Sequence, residues 1–189
     1  MSVAEIVVSI VGARPNFIKL APVACALNRF EIENVVVHTG QHYDYELSQI
    51  FFEELKIPKP DYHLGVGSGS NCYHIGEIIK RAEKVLKKLS PSLVVVFGDA
   101  NSTLSGALTA ATLKIPVAHV EAGLRSFDRG MQEEINRVLV DHISDFLFCP
   151  TQLSVQNLMR EGIREGVYLV GDVMFDLLKS TLACVDRIS

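Results

Sequence analysis

The chain has 189 residues, of which 48% are hydrophobic and 21% are charged, and its formal net charge is -4. This composition is typical of a globular domain, and the length is enough to bury a core without disulfides. The net negative charge argues against nucleic acid or an anionic membrane surface as the main partner.

Cysteine usage and the distribution of apolar residues indicate the compartment. The four cysteines are scattered, with no CxxC pair and no Cys/His cluster: Cys25, Cys72, Cys149 and Cys184. This arrangement fits thiols in a reducing compartment and gives no metal site. No signal peptide is visible, and no apolar run approaches membrane-spanning length. The sequence therefore predicts a cytoplasmic protein with no membrane partner.

Apolar β-branched runs alternate with helical patterns along the chain. The runs predict strands at Ile6–Val11, Val35–His38, Leu93–Phe97, Val117–Val120, Phe146–Cys149 and Val167–Val170. Helical periodicity covers Phe17–Asn28, Glu46–Leu55, Tyr73–Leu89, Thr103–Leu113, Glu133–Ile143, Gln152–Glu161 and Phe175–Val185. Such alternation predicts right-handed βαβ units and an α/β, Rossmann-like, three-layer fold with a parallel sheet.

Two polar connections interrupt this alternation within one predicted domain, residues 1–189. Residues 56–71 contain two prolines and three glycines, and the glycine-rich part matches neither phosphate-binding fingerprint, so we expect a flexible loop. Residues 124–132 form either a mobile active-site loop or a solvated crossover.

Polar residues follow the first predicted strand. Gly12 to Lys19 opens the first helix and carries Arg14, which makes this helix start a candidate anion site. The alternative is a turn with two surface cations. The spacing is not GxGxxG, so NAD or FAD binding is not expected.

Acidic residues end the next two predicted strands. Asp99 follows VVVFG and Glu121 follows VAHV, and an ionised carboxylate beside an apolar strand is costly unless it is paired or functional. Asp99 alternatively caps the next helix, and Glu121 alternatively pairs with Arg125 or Arg137. His119 alternates with Glu121, which places both on one face of the strand.

A helix start at residues 132–137 carries further charge. Glu133 and Arg137 are spaced i,i+4, as on many solvated helices, and Glu133 and Glu134 suit a helix N-terminus. By pattern alone, a structural role is favoured here.

Several motifs occur in an order that resembles one enzyme family. They are VGARPNFIKLAP, TGQHYD, FGDANST, HVEAGLRS, EEINRVLVDHISD and VGDVMFD. Together they cover essentially the whole chain and resemble the non-hydrolysing UDP-N-acetylglucosamine 2-epimerase family. That family has a second domain of similar size, so the resemblance implies the N-terminal half of a GT-B-type two-domain scaffold. The last helix, about 172–187, is expected to lead toward the absent second domain.

The resemblance implies a reaction and its residues. In the family, the C2 proton is removed while UDP leaves C1, and 2-acetamidoglucal is reprotonated on the opposite face to give UDP-N-acetylmannosamine. It implies no cofactor or metal, a cytoplasmic isomerase of cell-surface polysaccharide biosynthesis, and a homodimer. The implied catalytic residues are Asp99, Glu121, Glu133 and Arg137. The implied substrate-binding residues are Arg14, Lys19, Gln41, His42, Asn101, His119 and Arg125.

Departures from the family pattern keep alternatives open. Gln132 stands where the family usually has proline, so the placement of Glu133 is less determined. Gln41 and His42 lie in a segment that binds a second UDP-sugar in bacterial members, but the following residues differ, so allosteric activation is not carried over. The alternatives are a 2-epimerase of UDP-2,3-diacetamido-2,3-dideoxyglucuronate, the first half of a glycosyltransferase, or a non-catalytic nucleotide-sugar-binding or dimerisation module. The isolated chain is expected to need the absent domain to complete the cleft.

Overall fold

A computed structural model describes residues 5–40 and 59–185. Its strands form one parallel sheet in the order β3-β2-β1-β4-β5-β6-β7. The strands are β1 Ile6–Val11, β2 Glu33–His38, β3 Tyr62–His63, β4 Leu93–Phe97, β5 Val117–Val120, β6 Phe146–Cys149 and β7 Val167–Leu169. The helices are α1 Arg14–Arg29, α2 Asn71–Leu89, α3 Asn101–Thr112, α4 Gln132–Ile143, α5 Gln152–Arg160 and α6 Val173–Val185.

Apolar residues on both faces of the central strands bury two cores. On β1, Val7 and Val11 pack with α1, whereas Val8 and Ile10 pack with the helices of the other face. Because successive strand residues point to opposite faces, a continuous apolar run serves both cores. Each fully buried aliphatic side chain contributes roughly 1.5–3 kcal/mol relative to exposure. The α/β, Rossmann-like, three-layer prediction is confirmed.

The predicted elements agree with the structure within about three residues at each end. One strand was missed: Tyr62–His63 pairs with Val37 and His38 inside the segment predicted as a loop. A two-residue edge strand is too short to give an alternating pattern. The predicted helix Glu46–Leu55 lies outside the described residues.

Small residues bring α3 close to the sheet. A Cβ at Gly106 would lie 3.0 Å from Ile10 Cδ1, so glycine permits this contact. Ser102, Ser105 and Ala107 on the same helix are fully buried. The close approach sets the first residue of α3, Asn101, against the end of β4.

Two further features bear on the predicted compartment and partners. In the described parts of the chain, no helix is both long enough and apolar enough to cross a membrane. Cys25, Cys72 and Cys149 are free thiols, and burial raises the pKa of Cys149 to about 11. The cytoplasmic location itself stays a prediction.

Candidate active site

The candidate site lies where the strand order reverses. β1 pairs with β2 on one side and with β4 on the other, and such switch points open a crevice at the carboxyl edge of a parallel sheet. Asp99 follows β4, and Glu121 follows β5, which is paired with β4. The two carboxylates therefore stand at neighbouring strand ends, as the sequence predicted.

Lys19 and Glu121 form an ion pair between Nζ and Oε2. The Lys19 side chain is 8% exposed and that of Glu121 is 19% exposed, so the pair is largely shielded from solvent but reachable from the crevice. The alternative role predicted from the sequence for Glu121 was an ion pair with Arg125 or Arg137. The structure differs because α1 lies across β4 and points Lys19 toward the end of β5.

The backbone around this ion pair is unusual. Glu121 has a φ of 77°, a left-handed conformation that is rare for a residue with a side chain. The alternation of side chains along a strand therefore does not determine where the Glu121 side chain points. The prediction that Glu121 and His119 point to the same face of the strand does not apply at this position. Gly98 has a φ of 64°, and a Cβ there would lie 2.6 Å from Lys19 Nζ. Glycine at 98 lets the ion pair lie against the backbone.

Asp99 and Arg137 form the second ion pair of the site, between Oδ2 and Nη2. The Asp99 side chain is 34% exposed, which makes it the more accessible of the two strand-end carboxylates. Arg137 Nη1 also lies 3.2 Å from Glu134 Oε2. The arginine thus contacts Glu134 in the preceding turn, and no contact with Glu133 appears among the described residues.

Glu133 is exposed on the first turn of α4. It has no hydrogen bond or ion pair within residues 5–40 and 59–185, so its catalytic assignment still rests on the resemblance alone. The i,i+4 pattern suggested a Glu133–Arg137 pair. The adjacent Glu134 takes that place because α4 turns its inner face toward Asp99.

Glu134 holds the start of the 124–132 connection. It accepts hydrogen bonds from the backbone nitrogens of Ser126 and Phe127, both at 2.9 Å, and from Ser126 Oγ at 3.0 Å. Burial alone would raise the pKa of Glu134, but these hydrogen bonds and the charge of Arg137 lower it below the usual value. The first residues of this connection are therefore anchored. The rest of it is exposed, and both interpretations from the sequence, a mobile active-site loop and a solvated crossover, stay predictions.

Asn16 is a site residue that sequence reasoning missed. Its Oδ1 accepts hydrogen bonds from the backbone nitrogens of Gly12 and Ala13 at 3.2 and 3.0 Å, and its Nδ2 donates to the carbonyl of Phe97 at 2.8 Å. It therefore ties the first loop to the end of β4. The sequence contained one signal for it, a polar asparagine in the first turn of α1, on a face of the helix that is otherwise apolar and buried.

His119 lies beneath the site and is fully buried. Its Nδ1 lies 2.7 Å from Asp141 Oδ1, and its Nε2 lies 2.8 Å from the carbonyl of Gly98. Burial alone would raise the pKa of Asp141, but the hydrogen bonds and charges of His119 and Arg125 lower it below its usual value. The two ring nitrogens of His119 therefore link Asp141 to the carbonyl of Gly98. His119 thus supports Gly98 from below the site, and its predicted substrate-binding role stays a prediction.

Arg125 donates hydrogen bonds to two carboxylates, one of which is Asp141, the partner of His119. Its Nη1 donates to Asp141 at 2.7 Å, and its Nε and Nη2 donate to the two oxygens of Glu161 at 2.7 and 2.6 Å. Burial alone would lower the pKa of Arg125, but the two carboxylates raise it above its usual value. The Arg125 side chain is 1% exposed, and its predicted substrate-binding role stays a prediction.

Asn101 is buried at the start of α3. Its Oδ1 accepts from Asn136 Nδ2 at 3.1 Å, and the same nitrogen donates to the carbonyl of Asp99 at 2.8 Å. Asn101 thus contacts the neighbours of Asp99, and its substrate-binding role stays a prediction.

Three predicted binding residues cannot be placed. Gln41 and His42 lie outside the described residues, and for Arg14 only the backbone, at the start of α1, is described. Within the described ranges, no group of three His, Cys, Asp or Glu side chains is arranged to hold a metal ion. The structure thus brings together Lys19, Asp99, Asn101, Glu121 and Arg137 around one crevice.

This arrangement can bind a diphosphate and move a proton. Arg137 and Lys19 are cations that phosphate oxygens would attract, and each forms an ion pair with one carboxylate. Carboxylates beside a cleft are candidate general bases.

Known proteins resemble this chain in sequence and in fold. The family described as UDP-N-acetylglucosamine 2-epimerase matches residues 25–189. A UDP-N-acetylglucosamine 2-epimerase homolog of Methanococcus maripaludis is 55% identical over 96% of this chain and 50% of its own length. The UDP-2,3-diacetamido-2,3-dideoxy-D-glucuronate 2-epimerase of Pseudomonas aeruginosa is 48% identical over 90% of this chain and 49% of its own.

A solved structure extends the comparison to three dimensions. The Methanocaldococcus jannaschii UDP-GlcNAc 2-epimerase, crystallised with UDP-GlcNAc and UDP, superimposes with a TM-score of 0.89 at 48% identity. The match covers 97% of this chain and 50% of that one. The chain thus spans about half the length of the curated relatives it matches. Because the family match covers most of the chain, this protein belongs to the UDP-N-acetylglucosamine 2-epimerase family.

Proposed function

We propose that this chain supplies the N-terminal domain, residues 1–189, of an enzyme that interconverts UDP-N-acetylglucosamine and UDP-N-acetylmannosamine. The observation that carries the proposal is the pair of carboxylates at neighbouring strand ends, each held by a cation: Asp99 by Arg137 and Glu121 by Lys19. A second domain, as in relatives of twice the length, would close the cleft. Because the absent half would complete the site, the isolated chain is expected to have little or no activity.

The proposed chemistry follows from these two ion pairs. The diphosphate of the substrate competes for Lys19 and Arg137, and each cation that turns toward phosphate leaves its carboxylate free to accept a proton. One carboxylate then removes the C2 proton while UDP leaves C1, with the cations stabilising the departing diphosphate. Reprotonation of 2-acetamidoglucal on the other face and return of UDP completes epimerisation. Glu133, exposed on the first turn of α4, remains a candidate for one of these proton transfers.

A homodimer is part of the proposal. Met131 directly precedes α4, Ile135 and Leu139 follow at intervals of four residues on the helix, and the three side chains are 40%, 40% and 47% exposed. Such an apolar stripe suits burial against a second copy. Equilibrium sedimentation tests this part, and a monomer at all concentrations would remove it.

The P. aeruginosa relative favours a second candidate substrate. A protein 48% identical to this chain is named for a 2-epimerase of a diacetamido glucuronate. Both substrates share the UDP group and the C2 proton, so the same two ion pairs would serve either one. Turnover of each UDP-sugar, measured side by side, decides between them.

Deuterium exchange tests the proposal directly. We would incubate UDP-N-acetylglucosamine in D₂O with the chain alone and with a fusion of the chain to the unmatched half of the M. jannaschii enzyme, and follow C2 by NMR. Exchange by the fusion alone supports a half-cleft that needs its second domain. Exchange by neither protein, with UDP binding intact, would favour the diacetamido glucuronate or the non-catalytic binding module.

A further inference from the structure

Four amide side chains form a closed hydrogen-bonded ring beside Asp99. Asn71, Asn101 and Gln132 are the first residues of α2, α3 and α4, and Asn136 follows one turn later. Around the ring, the donor-to-acceptor distances are 3.5 Å from Asn71 to Gln132, 2.9 Å from Gln132 to Asn136, 3.1 Å from Asn136 to Asn101, and 3.0 Å from Asn101 to Asn71. Every member donates once and accepts once within the ring.

The backbone of Asp99 determines the direction of the ring. Asn136 Nδ2 donates to the carbonyl of Asp99 at 2.8 Å, and a carbonyl can only accept. The nitrogen of Asn136 must therefore face Asp99, which leaves its Oδ1 to accept from Gln132. The orientation of the other amides follows in turn, so the ring has one consistent arrangement.

Burial differs around the ring. Asn136 and Asn101 are 1% and 5% exposed, Gln132 is half-buried, and Asn71 is exposed. Buried amide groups are costly without partners, so the two inner residues depend on the outer two. Gln132 is the member that joins the buried side to the surface and links α4 to α2.

Gln132 also stands at the start of the helix that carries Glu133 and Arg137. Met131, which precedes it, has no side-chain hydrogen bond to the helix. The side chain of Gln132 reaches Asn136, four residues on, and thereby ties the first turn of α4 to Asp99 through a single intermediate residue.

We propose that Gln132 is a positioning residue, which closes the amide ring and so holds the Asp99 backbone and the first turn of α4 in the arrangement required for proton transfer. This inference rests on the proposed 2-epimerase function. In the described parts of the chain, Gln132 forms no hydrogen bond to a member of either ion pair, so its loss should change turnover and leave substrate binding intact.

The first test is Gln132→Leu in the fusion protein. Leucine is similar in size but removes both ring hydrogen bonds, and we expect kcat to fall about fivefold or more with KM unchanged. The matched control is Gln156→Leu, at an exposed glutamine of α5. An unchanged kcat in Gln132→Leu, or an equal fall in the control, would overturn the proposal.

A double-mutant cycle separates the ring from general destabilisation. Asn71→Ala breaks the ring at the exposed neighbour of Gln132, and we expect Gln132→Leu/Asn71→Ala to lose no more activity than the worse single variant. Losses that multiply would mean that the two residues act independently, which contradicts a ring.

A spectroscopic measurement keeps this inference distinct from the proposed function. In the 189-residue chain labelled with nitrogen-15, Gln132→Leu should shift the Ala100 amide, which follows the Asp99 carbonyl, and Gln156→Leu should not. If the fusion with native Gln132 shows no exchange, the epimerase proposal fails and this spectrum still tests the ring. An unmoved Ala100 signal would overturn the positioning role.

Discussion

Lys19 and Glu121 are 102 positions apart in the sequence, yet they form an ion pair that joins α1 to the end of β5. The pair lies against Gly98, where a side chain would collide with Lys19. A left-handed Glu121 completes the arrangement. Strained backbone of this kind is concentrated at functional sites, and here it points a carboxylate into the crevice.

Lys19→Met should destabilise the protein. It leaves Glu121 without its counter-ion in a mostly buried site, and we expect about 3 kcal/mol less unfolding free energy, measured in urea. Adding Glu121→Gln should recover part of the loss. The control is Lys87→Met, which breaks an exposed pair with Glu83 and should leave the stability nearly unchanged. Equal costs for the two lysine variants would contradict a buried, interdependent pair.

Asp99→Asn should abolish most turnover without harming the fold. An amide cannot accept the C2 proton, and loss of a general acid or base lowers rates by about 100-fold or more. The freed Arg137 should bind UDP at least as tightly, which calorimetry would measure. Glu165→Gln changes an exposed carboxylate in the same way and should leave the rate unchanged. Near-normal exchange at C2 by Asp99→Asn would remove this residue from the mechanism.

Stability should fall in acid partly because of Glu134. Its pKa in the folded protein is lowered below the ordinary value of 4.5. It therefore contributes stability above the unfolded pKa, and this is lost as pH falls through the folded pKa. Urea unfolding between about pH 6 and about pH 3 should decline less steeply in Glu134→Gln than in the native chain. Asp141, whose pKa is also lowered, should keep part of the decline. Identical slopes would contradict this contribution.

The buried hydrogen bonds of His119 should contribute strongly to stability. His119→Phe removes the hydrogen bonds to Asp141 and to the carbonyl of Gly98, and breaking such a buried pair costs about 3–5 kcal/mol of unfolding free energy, measured in urea. His142→Phe, at an exposed histidine, is the control. Equal losses for the two histidine variants would contradict a structural role for the His119 hydrogen bonds.

The elements were predictable because their signals are local. β-branched runs and helical periodicity placed the strands and helices to within a few residues, and the acidic strand ends were correctly located beside the crevice. The two-residue strand β3 gave no pattern of its own and forms only because β2 offers a free edge. Asn16 and Asp141 escaped detection because a single polar residue on a helix does not reveal what it contacts.

The partners of the charged residues were not predictable from spacing. Arg137 contacts Glu134 and Asp99, although Glu133 lies at the favoured i,i+4 distance. Arg125 is enclosed by Asp141 and Glu161, neither of which its spacing in the sequence indicated. Which carboxylate a cation meets depends on how the helices pack, and helix periodicity alone leaves several choices of similar energy.

By itself, the sequence determined the order of strands and helices, the parallel sheet and the presence of carboxylates at two strand ends. These follow from backbone preference and from apolar patterns that repeat every two or 3.6 residues. Only the tertiary structure decided that Lys19 meets Glu121, that Arg137 meets Asp99, and that four amides close a ring. Those contacts join residues up to 102 positions apart, and they exist only once the strand order and helix packing bring the residues together.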